Sequence, residues 1–426
     1  MIAKIIQHKE KVKKLSKLAL QFFSFQILIQ GVDALTGLII VRNISKVEYA
    51  YFGIAGTISV SALNVIISGM SVYFLSEGVK IKSNPAEISM LLAGIKSFLK
   101  KKVLIVVSIM LPITLWMLNR NGLELYRATL FFSMICIEIF FRLRVQLLQS
   151  LFNIYGDYNV IQRVNLISSL CRVMLIFLIS MAINGEIAYL SMVVTYVIQF
   201  FILKRKSANY LEETKIIENH KEIEKMWGFY KTQLPTTIYA AVDGQVVILI
   251  LTFFGNTLLL ADYSAASKLN LIMVAINVFI NNYVIVQFAK VGTKEKFKKL
   301  LGYTIAIFFT FYCVAIFSIM EFPKWFIFLI GPKFENIEPD LYWVVIVVCF
   351  ANFSGLLNAI NSSKLWIKKT WIAIPLTIST QCILLATIPP KSFREVWLFA
   401  LCCSMPSFLI NVLFCIRGIS KLSPSI

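Results

Sequence analysis

The sequence predicts an all-α membrane protein with about twelve transmembrane helices, arranged as two repeat-related bundles of six. Of its 426 residues, 58% are apolar and only 15% are charged, whereas about a quarter of the residues of a soluble domain are charged. Apolar stretches close to the roughly 20 residues that cross a bilayer recur along the chain. A long charged segment in the middle divides them six and six. This composition excludes an ordinary soluble enzyme.

The predicted spans follow from the apolar stretches in chain order. Those of the first half are at 18–41, 51–75, 103–118, 128–149, 164–183 and 187–203. Those of the second half are at 234–254, 269–289, 300–320, 342–361, 371–389 and 395–416. The lysine-rich start is expected to precede an uncleaved first span, because the apolar stretch is long and lacks a small-residue cleavage site. An even number of spans places both termini on the same side.

The distribution of positive charge predicts the orientation. If the amino terminus is cytoplasmic, 30 of the 42 lysines and arginines lie on that side, 9 lie in the opposite loops and three lie inside spans. This is the asymmetry that the positive-inside rule requires. Both termini are therefore predicted to be cytoplasmic, and no nucleic-acid partner is needed to explain the basic charge. The two histidines stand apart and the eight cysteines lie in apolar runs, so no metal site is predicted.

The central polar segment predicts the domain organisation. Residues 204–233 mix charges of both signs with spaced apolar residues, which favours a cytoplasmic connector containing an amphipathic helix. The predicted domains are thus a bundle at 1–203, the connector at 204–233 and a bundle at 234–426. A faint repeat relates the bundles: IQGVDALTGLII around Asp33 aligns with YAAVDGQVVILI around Asp243, and AYFGIA aligns with ADYSAA shortly after. Paired repeats of this kind are common in transporters.

Ionisable side chains inside the predicted spans indicate transport. Asp33 and Asp243 lie in the opening spans of the two halves, and Glu138 precedes Arg142 by one helical turn. A charge at mid-membrane costs about 2.5–3.5 kcal/mol on insertion scales, so these groups are expected to face water or one another. A purely structural interpretation stays open, with protonated, hydrogen-bonded aspartates and a Glu138–Arg142 ion pair.

Three further polar positions complete the candidate set. Asn165 and Arg172 lie on one stripe of the fifth span, and Arg172 is near its middle. Asn277 lies in the eighth span, where an asparagine is a substrate contact or an interhelical hydrogen-bonding group. Arg144 is close to the cytoplasmic end of its span, where a long basic side chain is expected to reach the interface.

The layout resembles a known family. Two halves of six spans, the connector, a V-D pair in each opening span, and the GPKF turn at 331–334 resemble the polysaccharide transporters of the multidrug, oligosaccharidyl-lipid and polysaccharide exporter superfamily. Within it the chain is most similar to Wzx-type O-antigen flippases. The resemblance implies two bundles around a central cavity in the bacterial inner membrane. It also implies a substrate, an undecaprenyl-diphosphate-linked sugar unit that crosses from the cytoplasmic to the periplasmic leaflet.

The resemblance implies roles for the candidate residues. Arginines hold the diphosphate, because guanidinium stays charged and offers paired donors to phosphate oxygens, and carboxylates couple transport to a proton or sodium gradient. Expected substrate-binding residues are Arg172, Arg142, Asn165 and Asn277. Expected ion-coupling residues are Asp33, Asp243 and Glu138. No cofactor is implied; the partners implied are membrane lipids and other membrane proteins of polysaccharide assembly.

Two other functions remain compatible with the sequence. A cation-coupled multidrug antiporter of the same superfamily would have a mainly acidic and aromatic cavity, and the three carboxylates inside spans agree with that. A membrane-embedded polysaccharide polymerase would need a large outer domain, but the longest outer loop, 321–341, is short.

Overall fold

The computed structural model describes most of the chain. The described residues are 24–25, 27–179, 184–212, 220–254, 256–270, 287–288, 291, 293–364, 366, 372–387 and 389–422. Almost all of them are helical, which confirms the all-α prediction. Contacts divide the chain into two compact units, Met1–Leu260 and Ala261–Ile426. The predicted boundaries around the 204–233 connector stay a prediction.

The first unit contains nine helices in its described part, and a tenth begins at its end. The helices are α1 (27–43), α2 (Lys46–Ile67), α3 (Met70–Lys80), α4 (Pro85–Arg120), α5 (Leu125–Tyr155), α6 (Tyr158–Leu178), α7 (Gly185–Ser207), α8 (His220–Asp243), α9 (Val246–Phe253) and α10 (Thr257–Ala266). The central packing is that of α5 on α7, with α6 against α7 and α2 against both α4 and α5.

The second unit continues from α10 through a short 3-10 turn, Ser267–Asn270. Its remaining described helices are α11 (Lys294–Glu321), α12 (Pro323–Ile330), the 3-10 segment Pro332–Asp340, α13 (Leu341–Ser363), α14 (Ala373–Thr387) and α15 (Phe393–Ser420). Here α13 packs on α15, with α14 against α15 and α11 against α13.

The described helices coincide in position with the predicted spans, but fewer than the twelve predicted are long and apolar enough to cross a membrane. Seven are long and apolar enough to cross a membrane, and an eighth is added if α8 and α9 form one bent span. The prediction at 269–289 falls almost entirely outside the described residues, whereas each of the other predicted spans overlaps a described helix. The chain is therefore a multi-pass helical membrane protein.

Capping residues determine where several helices begin. The side chains of Ser45, Asn84, Asn184 and Ser392 each accept a hydrogen bond from a backbone N–H in the first turn of α2, α4, α7 and α15. At α15 the glutamate of the first turn also accepts from the backbone of Ser392, which completes a capping box. These bonds satisfy amide groups that helix starts leave unpaired.

The second predicted span, 51–75, is not one continuous helix. It breaks between α2 and α3, where Ser68 has φ 33° and Gly69 has φ 81°. A left-handed conformation at two successive residues cannot continue an α-helix. A β-carbon at Gly69 would lie 3.0 Å from the Phe229 ring of α8. The break thus lets α8 approach the backbone closely.

The second part of the predicted connector is helical. Residues 220–233 form the start of α8, which continues without interruption into the seventh predicted span. Met226 and Tyr230 of this segment are buried, and the Tyr230 hydroxyl donates to the Val65 carbonyl of α2 at 3.0 Å. The apolar face of the segment therefore contacts protein.

Candidate functional site

A polar network lies inside the first unit, among α1, α5, α6 and α7. At its centre, the Ser169 hydroxyl of α6 donates to a carboxylate oxygen of Asp33 on α1 at 2.8 Å. Ser169 is buried and Asp33 is half-buried. The polar stripe predicted on the fifth span therefore faces the acid predicted on the first span.

Arg172 lies one turn further along α6. Its Nε donates to the hydroxyl of Ser191 on α7 at 3.4 Å, and its charge interacts with that of Asp33. Within the part of the chain that the structure describes, Arg172 forms no salt bridge. A guanidinium held only by a long bond to a hydroxyl keeps most of its five donors available.

A second cluster surrounds Glu138 of α5, whose side chain is fully buried. One carboxylate oxygen accepts from Arg142 at 3.0 Å, as the spacing of one turn predicts. The other accepts a hydrogen bond from the Tyr189 hydroxyl of α7. The Arg142 guanidinium lies 5.1 Å from the centre of the Tyr196 ring. Glu138 and Arg142 therefore neutralise one another's charge in a salt bridge. Arg172 has no such salt bridge in the described structure.

The stripe on α6 extends the network towards the other end of the helix. The Asn165 side-chain oxygen accepts from Gln149 of α5 at 3.1 Å. The Gln199 amide of α7 donates to the buried Ser168 hydroxyl at 2.8 Å. Asn165 is thus bonded within the bundle, and its predicted contact with a substrate stays a prediction.

The remaining predicted residues lie elsewhere. Asp243 is the last residue of α8, which contacts α2, α3 and α4, and its side chain is exposed. The chain turns at Gly244, and the axes of α8 and α9 differ by 48°. Asn277 lies outside the described residues. The structure therefore brings together a group of five predicted residues, namely Asp33, Glu138, Arg142, Asn165 and Arg172. Asp243 lies outside this group, at the end of α8.

The sequence interpretation missed the contribution of α7. Ser191, Thr195 and Gln199 recur every four residues and form a polar stripe on this helix, and Tyr189 and Tyr196 face the Glu138 cluster. The spacing is the signal that could have identified the stripe. Hydroxyls and amides are neutral, so they do not stand out in a search for charges inside spans.

An ionic cluster at the other end of the bundle was also missed. Arg127, at the start of α5, donates to Glu48 of α2 at 2.7 Å and to Glu186 of α7 at 2.5 Å. The second carboxylate oxygen of Glu48 accepts from the Gly185 backbone at 2.9 Å. The three helix starts are thereby joined through one guanidinium.

A separate pocket of about 360 Å³ lies in the second unit and contains none of the predicted site residues. It is lined by Ile319, Met320, Pro323, Glu335, Glu338, Pro339 and Tyr342.

Comparisons with known proteins identify the fold. No family model matches the sequence, and no curated protein matches it. Among solved structures, the chain is similar to the lipid II flippase MurJ in an inward closed conformation, with TM-score 0.71 and 15% identity over 95% of this chain and 88% of that one.

The chain is also similar to an inward-facing MATE family multidrug resistance transporter of the MOP superfamily, with TM-score 0.69 and 13% identity over 92% of this chain and 94% of that one. A third similar structure is the eukaryotic MATE transporter AtDTX14, with TM-score 0.64 and 12% identity over 94% and 97%. These structures are of transporters, not enzymes. At this low sequence identity the similarity shows the fold: the chain folds like these MATE and MurJ structures.

Proposed function

We propose that this protein is a Wzx-type flippase of the bacterial inner membrane. It moves an undecaprenyl-diphosphate-linked oligosaccharide from the cytoplasmic to the periplasmic leaflet by alternating access around a central cavity. The observation that carries the proposal is Arg172, an arginine in the middle of a span whose described contacts include no salt bridge. A half-buried cation without a salt bridge in the described structure suits an anionic substrate.

The contrast with Arg142 supports this assignment. Arg142 shares the buried Glu138 carboxylate, so the pair has little net charge to offer a diphosphate. Arg172 interacts with Asp33 at longer range, while Ser169 donates directly to Asp33. Arg172 is therefore the primary contact for phosphate oxygens. Arg142, Asn165 and Asn277 are secondary contacts in this proposal.

Asp33 is proposed to couple transport to a proton or sodium gradient. Its carboxylate lies in the same network as Arg172, so neutralising it changes the charge balance around the arginine. Asp243 and Glu138 are the other proposed coupling acids. Asp243 directly precedes the break between α8 and α9, and interrupted spans are where transporters commonly bind ions.

A cation-coupled multidrug antiporter is the alternative function. The similarity to the MATE multidrug resistance transporter covers 92% of this chain. The half-buried Asp33 would then attract a cationic drug, while Arg172 would repel it. The charge of the substrate therefore separates the two functions.

The experiment expresses the protein in cells that lack their own flippase and measures surface polysaccharide and export of a cationic dye. The flippase proposal predicts restored polysaccharide display without dye export. Arg172→Ala is expected to abolish display, and Arg163→Ala, an exposed arginine on the same helix, is the control for charge loss. Dye export without polysaccharide display at normal protein levels would instead support the antiporter.

A further inference from the structure

Three positive side chains converge at one end of the first unit, from three different helices. Arg144 of α5 and Lys204 of α7 approach the same Phe200 ring, with the guanidinium carbon 5.7 Å and Nζ 5.9 Å from its centre. The charges of both also act on Lys96 of α4. Lys96 and Lys204 are exposed and Arg144 is half-buried. We name Lys96, Arg144 and Lys204 the basic triad.

The triad lies beside an aromatic surface. The Arg144 guanidinium lies 3.6 Å from the centre of the Phe140 ring. Phe140, Phe141, Phe200 and Phe201 continue this surface through ring contacts of 5.2 to 5.5 Å between consecutive centroids. Stacking on a ring occupies the face of a guanidinium and leaves its N–H groups, which lie in its plane, free to bond sideways.

The described acids do not balance this charge. In the described part of the chain, no member of the triad forms a salt bridge. At the opposite end of the same bundle, Arg127 is held by both Glu48 and Glu186. Among the described residues, the guanidinium at one end thus has carboxylate partners and the triad at the other end has none. Like charges gathered at a low-dielectric boundary repel one another, and an anion bound between them would relieve that repulsion.

The position of the triad along the helices indicates what that anion is. Lys96 precedes the predicted span 103–118, Lys204 directly follows the span 187–203, and Arg144 is near the lysine-rich end of 128–149. This is the depth at which spans leave the hydrocarbon and meet lipid headgroups. The exposed rings of Phe140 and Phe201 are at the depth of acyl chains.

We propose that Lys96, Arg144 and Lys204 form a binding site for the phosphate of a lipid headgroup with net negative charge, in the leaflet on the lysine-rich side of the membrane. Arg144 supplies paired N–H donors and the two lysines supply ammonium groups. The phenylalanines contact the first part of the acyl chains. The site is distinct from Arg172, and Arg144 has a function beyond reaching the interface.

The test uses the full-length protein purified in detergent, with native mass spectrometry to measure binding of short-chain phosphatidylglycerol and phosphatidylcholine. The site variant carries Lys96→Gln, Arg144→Gln and Lys204→Gln. The matched control carries Lys100→Gln, Lys101→Gln and Lys206→Gln, which remove the same charge from α4 and α7 on the same side.

The expected result is a loss of phosphatidylglycerol affinity of at least about tenfold in the site variant, with a change below about twofold in the control and no change for phosphatidylcholine in either. Equal losses in the two variants would show unspecific attraction and overturn the site. No loss in the site variant would overturn it as well. Arg144→Lys, which keeps the charge but removes the forked donors, is expected to give an intermediate loss and is a further variant that preserves packing.

A second arm identifies the source of the phosphate. A polyprenyl diphosphate replaces phosphatidylglycerol in the same titration, with inorganic phosphate as the lipid-free probe. If the site variant loses more affinity relative to the control for phosphatidylglycerol, the ligand is a phospholipid. If it loses more for the polyprenyl diphosphate, the site is a loading site for the lipid carrier. Binding of inorganic phosphate as tight as that of both lipids would contradict a lipid site.

Discussion

Arg142 of the fourth predicted span and Arg172 of the fifth differ at the level of single contacts. Arg142 bonds the fully buried Glu138 at 3.0 Å, whereas Arg172 bonds only the Ser191 hydroxyl in the described structure, at 3.4 Å. The first contact was predictable because residues one turn apart on a helix are neighbours. The Asp33–Ser169 bond joins residues 136 positions apart, and nothing local in the sequence specifies such a pair.

The Glu138–Arg142 pair is expected to behave as a coupled unit. Arg142→Gln leaves the fully buried Glu138 charge without its partner and is expected to lower stability by about 3–5 kcal/mol. Glu138→Gln leaves the half-buried Arg142 without its partner and is expected to lower stability less. The double variant is expected to be clearly less destabilised than the more damaging single variant. Thermal unfolding in detergent measures this. Additive losses in the double variant would contradict the coupling.

Asp33 is expected to control the dependence of transport on the ion gradient. Asp33→Asn keeps an acceptor for Ser169 and removes the charge, so protein abundance should be near normal while gradient-driven transport is lost. Ser169→Ala removes one hydrogen bond, about 1 kcal/mol, and should be milder. Transport in vesicles with an imposed proton or sodium gradient is the readout. Unchanged gradient dependence in Asp33→Asn, in Asp243→Asn and in the double variant would show that both acids are structural.

At the level of helices, hydropathy predicts the segments in the hydrocarbon better than it predicts helix ends. The predicted third span begins at 103, but α4 begins at Pro85, where Asn84 caps it and proline suits the first turn. The α2–α3 break was missed because Ser68 and Gly69 lie within an apolar stretch. The break makes room for α8, and this close approach is a tertiary contact that local hydropathy does not report.

The α2–α3 break gives a prediction about glycine. Gly69→Ala places a β-carbon at φ 81°, 3.0 Å from the Phe229 ring. The left-handed conformation alone costs a residue with a β-carbon about 1–2 kcal/mol, so the variant should unfold at a clearly lower temperature. Gly56→Ala, in α2 with open space around the added carbon, is the control and should not be destabilised. Equal unfolding temperatures for both variants would contradict the strain.

For the whole molecule, composition and span count predict a fold that the structural similarities support. The all-helical, multi-pass architecture follows from the length and number of apolar stretches, which are properties of the chain alone. The compact units divide at Leu260, and the domain boundaries predicted around the charged connector at 204–233 stay a prediction. Local polarity marks segments outside the membrane, but it does not specify which helices pack together.

The orientation is a prediction for the whole molecule that reporter fusions test. A cytoplasmic reporter is expected to be active when it is fused after Lys206, in the basic last turn of α7. A periplasmic reporter is expected to be active after Gly122, in the short loop between α4 and α5. The reason is the excess of positive charge on the first side. Activity of the periplasmic reporter after Lys206 would reverse the orientation and contradict the positive-inside assignment.

In the proposed function, Arg172 binds the diphosphate of a lipid-linked oligosaccharide as it crosses the membrane. The most direct measurement is the flipping rate of a polyprenyl-diphosphate oligosaccharide in liposomes containing purified wild type, Arg172→Ala, Arg172→Lys or the control Arg163→Ala. A hydrogen bond to a charged group contributes about 1.5–3 kcal/mol, which predicts a loss of about tenfold or more for Arg172→Ala. Arg172→Lys should be intermediate and Arg163→Ala near normal. A wild-type rate for Arg172→Ala, in protein of normal stability, would contradict the claim.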